Sequence, residues 1–166
     1  MKSYYPILLR LALLIFVNSI VFPKGSVTFI VTGSVHGQLD PCGWPKKPLG
    51  GLSRKYVTIN NMRLNDENPI ILDAGDLIHT NLVIHDSVRD SEIHRASSMI
   101  RGYEKIGCDA INVGQYEMAG GLDGLLELNR NSSIPFISAN LKNSKNNQLL
   151  FEPYIIINRD DLEIGV

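Results

Sequence analysis

Four short segments concentrate glycine and ligand-capable side chains: Gly33-Ser34-Val35-His36-Gly37, Asp73-Ala74-Gly75-Asp76, Asn112-Val113-Gly114-Gln115-Tyr116-Glu117 and Ser138-Ala139-Asn140-Leu141. Imidazole and carboxylate donors suit divalent zinc, manganese or iron. Glycine beside them permits tight turns and a close approach of backbone to a ligand. A fifth segment, Asp40 to Pro48, places the thiol of Cys42 near Lys46 and Lys47. Basic neighbours favour the thiolate and make a cysteine reactive.

Each polar segment needs an element to deliver it. Ser26–Thr32, Ile70–Leu72, Ala110–Val113 and Pro135–Ser138 are short β-branched runs that read as strands. They are nearly continuous in apolar character, as expected of strands covered on both faces. Helical patterns fall between them, over Leu52–Met62, Ser91–Ile106 and Leu122–Leu128. The Ser91–Ile106 pattern has Ile93, Ala96, Ile100, Tyr103 and Ile106 at three- and four-residue steps, and Gly107 ends it. The βαβα order implies a layered α/β domain with a largely parallel sheet. Ligands of such sheets gather at the carboxyl ends of strands, where all four polar segments lie.

The chain has 166 residues, 16 basic and 17 acidic, and a net charge of -1. That balance offers no electrostatic case for nucleic acid as a partner. A hydrophobic content of 44% argues against disorder. Two cysteines exclude a disulfide-stapled mini-fold. Lys2 and Arg10 precede an apolar run from Leu11 to Phe22, too short for a membrane-spanning helix of roughly 20 residues. Residues 1–23 are therefore expected to be a cleaved signal peptide. No Ala-x-Ala pattern precedes Lys24, so an uncleaved membrane anchor stays open. Either reading exports residues 24–166 to a periplasmic or extracellular space, membrane-bound only if the segment is uncleaved. Tyr154–Ile157 and Leu162–Val166 read as two further strands around a turn at 158–161. The Leu162–Val166 strand is only begun, which suggests the front part of a longer protein. Oligomeric state is not legible in the pattern.

The order and content of these loops resemble the 5'-nucleotidase family of calcineurin-like metallophosphoesterases. The resemblance runs from about Val27 to the end. It rests on the Gly-x-x-His-Gly loop, Leu72-Asp73-Ala74-Gly75-Asp76, Asn112-Val113-Gly114, Ser138-Ala139-Asn140-Leu141, and Pro48-Leu49-Gly50-Gly51-Leu52-Ser53-Arg54. It implies the N-terminal part of a layered β-sheet sandwich flanked by helices. It implies hydrolysis of phosphate monoesters such as nucleotides, with two divalent ions (zinc, manganese or iron) clamping the phosphate and generating hydroxide. His36 then belongs to the first metal loop and Asp76 bridges the ions.

Three positions depart from that pattern. The Asp expected two residues before His36 is Ser34, a neutral hydroxyl. The metal-binding Asn of the third loop is Gln115, and the His that assists the leaving group is Tyr116, which becomes the catalytic candidate. His36 and Asp76 alone do not close a two-ion site, since each ion takes about four or more ligands. Asp73 is a candidate to compensate, but it lies a pleat back, where it is suited to shaping the loop. Asn140 is a candidate substrate contact or a loop tie. Glu117 reads as a helix-start or loop acid, and His79, His85 and His94 as surface or supporting groups.

The Cys42 segment resembles a branch of the same family that carries Cys-Gly-Cys, or Cys-Gly-selenocysteine, before Pro-Leu-Gly-Gly-Leu. Here the partner position is Trp44. Either Trp44 is real and Cys42 stands alone, or the position is a recoded selenocysteine codon rendered as tryptophan. These readings leave three functions open: an exported phosphohydrolase with a degraded metal site, a thiol or selenol redox or binding protein on the same scaffold, and an inactive fragment. Cys108 reads as a small buried hydrophobe, with a 42–108 disulfide the alternative.

Overall fold

The computed structural model describes residues 25–43, 46, 49–66 and 68–166. The expected export segment and Trp44 lie outside the described residues. In chain order the elements are β1 (Phe29–Thr32), α1 (Leu52–Arg63), β2 (Ile70–Asp73), α2 (Arg89–Ile106), β3 (Ala110–Asn112), α3 (Leu122–Asn131), β4 (Phe136–Ile137), β5 (Ile156–Arg159) and β6 (Leu162–Gly165). Single 3-10 turns at Asp86–Val88 and Tyr116–Gly120 precede α2 and α3.

Strands β1, β2, β3 and β4 lie side by side in that order, every pair parallel. Right-handed crossovers between strands laid down sequentially in one direction place all the helices on one face. Ile71, Ile111 and Phe136 pack on that face with Ala96, Met99, Ile100, Tyr103 and Ile106 of α2 and Leu125 of α3. Helix α2 forms because these apolar residues recur at helical steps. Asp90 and Glu92 occupy its first turn, where the helix dipole favours acids. Gly107, at φ 78°, ends it in the left-handed conformation, with its N–H on the carbonyls of Tyr103 and Glu104. Ile93, expected on the buried stripe, is half exposed, and Met99 is fully buried instead. A stripe read from a few residues drifts around the helix, because 3.6 residues per turn matches neither a strict three- nor four-residue step.

The expectation of strands covered on both faces holds for β2, β3 and β4, where Ile70, Ile71, Ala110, Ile111, Phe136 and Ile137 are buried, and fails for β1. Val31 is 60% exposed and Phe29 47%. With every helix on one face, the opposite face of β1 has little above it. The β5–β6 hairpin forms a separate antiparallel pair. It reaches the open face through Val166, which shares a cavity of about 180 Å³ with Val31, Leu72, Ala110 and Ile137. An ion pair between Arg159 and Asp109 also ties it to the sheet. Strand β5 starts two residues later than the alternation implied and runs through Asn158 and Arg159, leaving Asp160 and Asp161 as the turn. Both cysteines are free thiols, Cys108 buried and Cys42 exposed. Among the described residues, no helix is long and apolar enough to cross a membrane.

Candidate metal centre

The loops after β1 and β2 continue the parallel pairing beyond the strands. Ser34 N–H donates to Gly75 O at 2.9 Å, His36 N–H to Asp76 O at 2.9 Å, and Gly37 N–H to Leu77 O at 2.7 Å. His36 and Asp76 are thus neighbours across a backbone hydrogen bond. Ser34, His36 and Asp76 all hold positive φ, at 52°, 49° and 56°. Non-glycine residues in this region cost energy and cluster where a site demands a particular geometry. Gly75 is required between them. Its φ is 102°, and a Cβ there would stand 2.8 Å from the Gly114 nitrogen. That contact lets the third loop approach.

The third loop closes the cluster. Tyr116 N–H donates to Asp76 Oδ1 at 3.0 Å. The Tyr116 ring packs against His36 with centroids 4.3 Å apart and planes tilted by 58°. The next residue, Glu117, is fully buried. Its Oε2 accepts the N–H of Asp76 at 2.9 Å and of Gly114 at 2.8 Å. Its Oε1 accepts the N–H of Leu77 at 2.6 Å and of Ile78 at 3.3 Å. One carboxylate therefore brackets the second and third loops.

The remaining candidates fall at varying distances from this cluster. Ser34 is exposed on the first loop, and Gln115 is exposed just before Tyr116. Asn140 is exposed, and its Oδ1 accepts the Ser138 hydroxyl at 3.0 Å, a tie within its own loop. Asp73 turns to the helix side of the sheet. Its Oδ2 accepts Thr32 Oγ1 at 2.6 Å and the Tyr103 hydroxyl at 2.9 Å. The Lys55 ammonium donates to the same Tyr103 hydroxyl. Burial lowers the Lys55 pKa against the opposing pull of Asp73. Burial and the Asp73 charge push the Tyr103 phenol well up. His85 and His94 are exposed, whereas His79 is buried with Nδ1 3.6 Å from Glu92 Oε2. Desolvation pulls the His79 imidazole below its ordinary range.

The two-ion centre that the resemblance implies would need donors beyond His36 and Asp76. His36 Nδ1 is buried with no hydrogen-bond partner, as a ligand atom awaiting an ion would be. Asp76 supplies the adjacent carboxylate. Beyond these two, no group of three or more His, Cys, Asp or Glu side chains able to hold an ion exists among the described residues. The described residues therefore do not complete a two-ion centre. Sequence reasoning missed the bracketing role of Glu117, whose burial has no local signature, and the Lys55–Tyr103 contact, which joins residues 48 positions apart.

No protein-family model matches the chain. It is 28% identical over 147 residues to a 5'-nucleotidase of Vibrio parahaemolyticus, covering 84% of this chain and 24% of that one. It is 32% identical over 140 residues to the protein UshA of Salmonella pullorum, again covering 84% of this chain and 24% of that one. The fold matches the calcineurin-like phosphoesterase YfkN of Bacillus subtilis with a TM-score of 0.63 and 23% identity, over 84% of this chain and 46% of that one. The chain spans about a quarter of the length of these two curated relatives. Over the part that it spans, the chain belongs to the 5'-nucleotidase family of calcineurin-like metallophosphoesterases and corresponds to its N-terminal portion.

Proposed function

We propose that this chain is an exported, 5'-nucleotidase-like phosphoesterase module for phosphate monoesters such as nucleotides, and that its metal site is degraded. The observation that carries this reading is the His36 N–H to Asp76 O bond of 2.9 Å, with Tyr116 stacked on one residue and bonded to the other. Three strand-end loops converge on one imidazole and one carboxylate. The neutral side chains of Ser34, Gln115 and Tyr116 replace the donors expected beside them. In this reading His36 and Asp76 hold a single divalent ion loosely, and the chain by itself does not turn over substrate. Export is supported by the basic and apolar pattern of residues 1–23.

Calorimetry with manganese and zinc, beside phosphatase assays on AMP and p-nitrophenyl phosphate, tests this proposal. The expected result is weak binding of one ion, lost in both His36→Ala and Asp76→Asn, without hydrolysis by the chain alone. Tight binding of two ions would overturn the degraded site. No binding at all would remove the metal reading altogether.

Another reading, thiol chemistry at Cys42, is favoured by one observation. Cys42 is exposed, and its sulfur accepts a hydrogen bond from Gln38 Nε2 at 2.8 Å. Alkylation of Cys42 well below the ordinary thiol pKa of about 8.5 is the test. Labelling that follows an ordinary thiol titration sinks it.

A further inference from the structure

Four elements bring a polar group to one buried spot behind the second loop. Asp73, 2% exposed, ends β2, and Thr32 ends β1. Tyr103 comes from α2 and Lys55 from α1. A hydroxyl has a single proton to donate. Thr32 Oγ1 gives its proton to Asp73 Oδ2 at 2.6 Å, and the Tyr103 hydroxyl gives its own to the same oxygen at 2.9 Å. The Tyr103 oxygen is left as an acceptor, and the Lys55 ammonium donates to it. Lys55 also lies over the Tyr103 ring, 4.7 Å from its centroid. The donors therefore run one way, from the ammonium through the phenol to the carboxylate.

A carboxylate out of water is stable only where charge and hydrogen bonds answer it. Here the answering charge stands one hydroxyl away. Burial lowers the Lys55 pKa, and the attraction of Asp73 opposes that. The other oxygen of Asp73 serves the second loop. Oδ1 accepts the N–H of Gly75 at 3.0 Å, inside the turn that leads into Asp76. The Gly75 carbonyl accepts Ser34 N–H of the first loop at 2.9 Å, and a Cβ on Gly75 would meet the Gly114 nitrogen of the third at 2.8 Å. Lys55 of α1 is thus linked, through Tyr103 and Asp73, to the backbone on which all three loops meet.

We propose that Lys55 is a positioning residue for the candidate metal centre: acting through Tyr103 it fixes the Asp73 carboxylate, and Asp73 fixes the Gly75 turn that presents Asp76 to an ion. The proposal rests on the metal reading of His36 and Asp76. Hydrogen bonds with an ionised partner are about twice as strong as neutral ones, so the effect follows the charge of Lys55 rather than its bulk. The same chain gives the buried Tyr103 hydroxyl its task, which is to relay the ammonium to a carboxylate that Lys55 serves only through it.

The test uses the full chain, with amide hydrogen exchange in the absence of metal and calorimetry with manganese. Lys55→Met keeps the stem and loses the charge, and Tyr103→Phe keeps the ring and loses the relay. In both, the Gly75 amide should exchange about ten-fold faster, while the Val113 amide, bonded to Ile137 O, keeps its rate. Manganese should bind about five-fold more weakly in both. Lys55→Arg retains the charge and should bring both readouts back to within about two-fold of wild type. Unchanged Gly75 exchange in Lys55→Met overturns the proposal. Equal acceleration at Val113 does the same, because it marks a general loss of stability. Faster Gly75 exchange with unchanged manganese affinity also overturns it, since the turn would then not govern Asp76. An arginine variant no better than the methionine one shows that shape rather than charge is at work, and overturns it too. No manganese binding by the wild-type chain is the separate failure of the metal reading, and the role of Lys55 falls with it.

Discussion

Glu117 Oε2 accepts the backbone N–H of Asp76 at 2.9 Å, so an acid of one loop holds the candidate ligand of another in place. The same carboxylate takes the N–H groups of Gly114, Leu77 and Ile78. Glu117→Ala strands these amides, of which those of Leu77 and Ile78 are buried. Orphaning buried donors to a charged acceptor costs about 1–3 kcal/mol for each group not rescued by water. We expect a loss of about 3 kcal/mol or more, read as a fall in the urea midpoint. Glu117→Gln should recover part of it, since its amide oxygen still accepts. Wild-type stability in Glu117→Ala would show that the bracket is not structural.

Gly114 carries another prediction about the same loop. A Cβ there would lie 2.5 Å from Asp76 Oδ1 and 2.7 Å from Asp76 N. Neither atom can give way without breaking the bond from Tyr116 N–H or the bond to Glu117. Gly114→Ala should therefore displace Asp76 and lower stability by about 1–3 kcal/mol through overpacking. It should also abolish any metal binding by His36 and Asp76. Gly124, whose Cβ would meet nothing within 4 Å, is the control. Gly124→Ala in α3 should be neutral or slightly stabilising, by up to about 1 kcal/mol.

The strand and helix order was legible because apolar runs of period-independent character alternate with helical spacing. Ile70–Leu72 and Ala110–Val113 differ by one residue each from the strands observed. The neighbourhood of His36 and Asp76 followed from the rule that parallel strands deliver their loops to one edge. Two things were not legible. The open face of β1 depends on which distant elements reach that edge of the sheet, and local composition does not encode this. The inward turn of Glu117 depends on four backbone amides assembled from two loops. A sequence shows the acid but not the amides.

His79 contributes to the acid side of the stability profile. Its imidazole is lowered by burial, against the raising effect of Glu92. Below an unfolded pKa of about 6.5 the unfolded chain binds a proton that the folded chain resists. Stability therefore falls as pH drops from about 6.5 toward the depressed folded value. His79→Gln should flatten that part of the curve, measured by urea midpoints between about pH 7 and 5. An unchanged slope would show that the imidazole does not titrate with folding.

The alkaline side belongs in part to Cys108, whose thiol is pushed up to about 12 by burial and by the charge of Asp73. The sign is opposite to that of His79. Above the unfolded thiol pKa the unfolded chain releases a proton that the folded chain keeps, so stability is lost as pH rises from about 8.5 toward the folded value. The slope from this one group approaches about 1.4 kcal/mol per pH unit. Cys108→Ala should remove that slope at a small packing cost and leave Cys42 as the single thiol. Labelling gives the independent check. In the folded protein at about pH 8, a disulfide reagent should modify Cys42 at once and Cys108 only after denaturant is added. Two rapidly reacting thiols without denaturant would mean that the pocket around Cys108 opens far more readily than its packing against Ile71 and Ala110 allows.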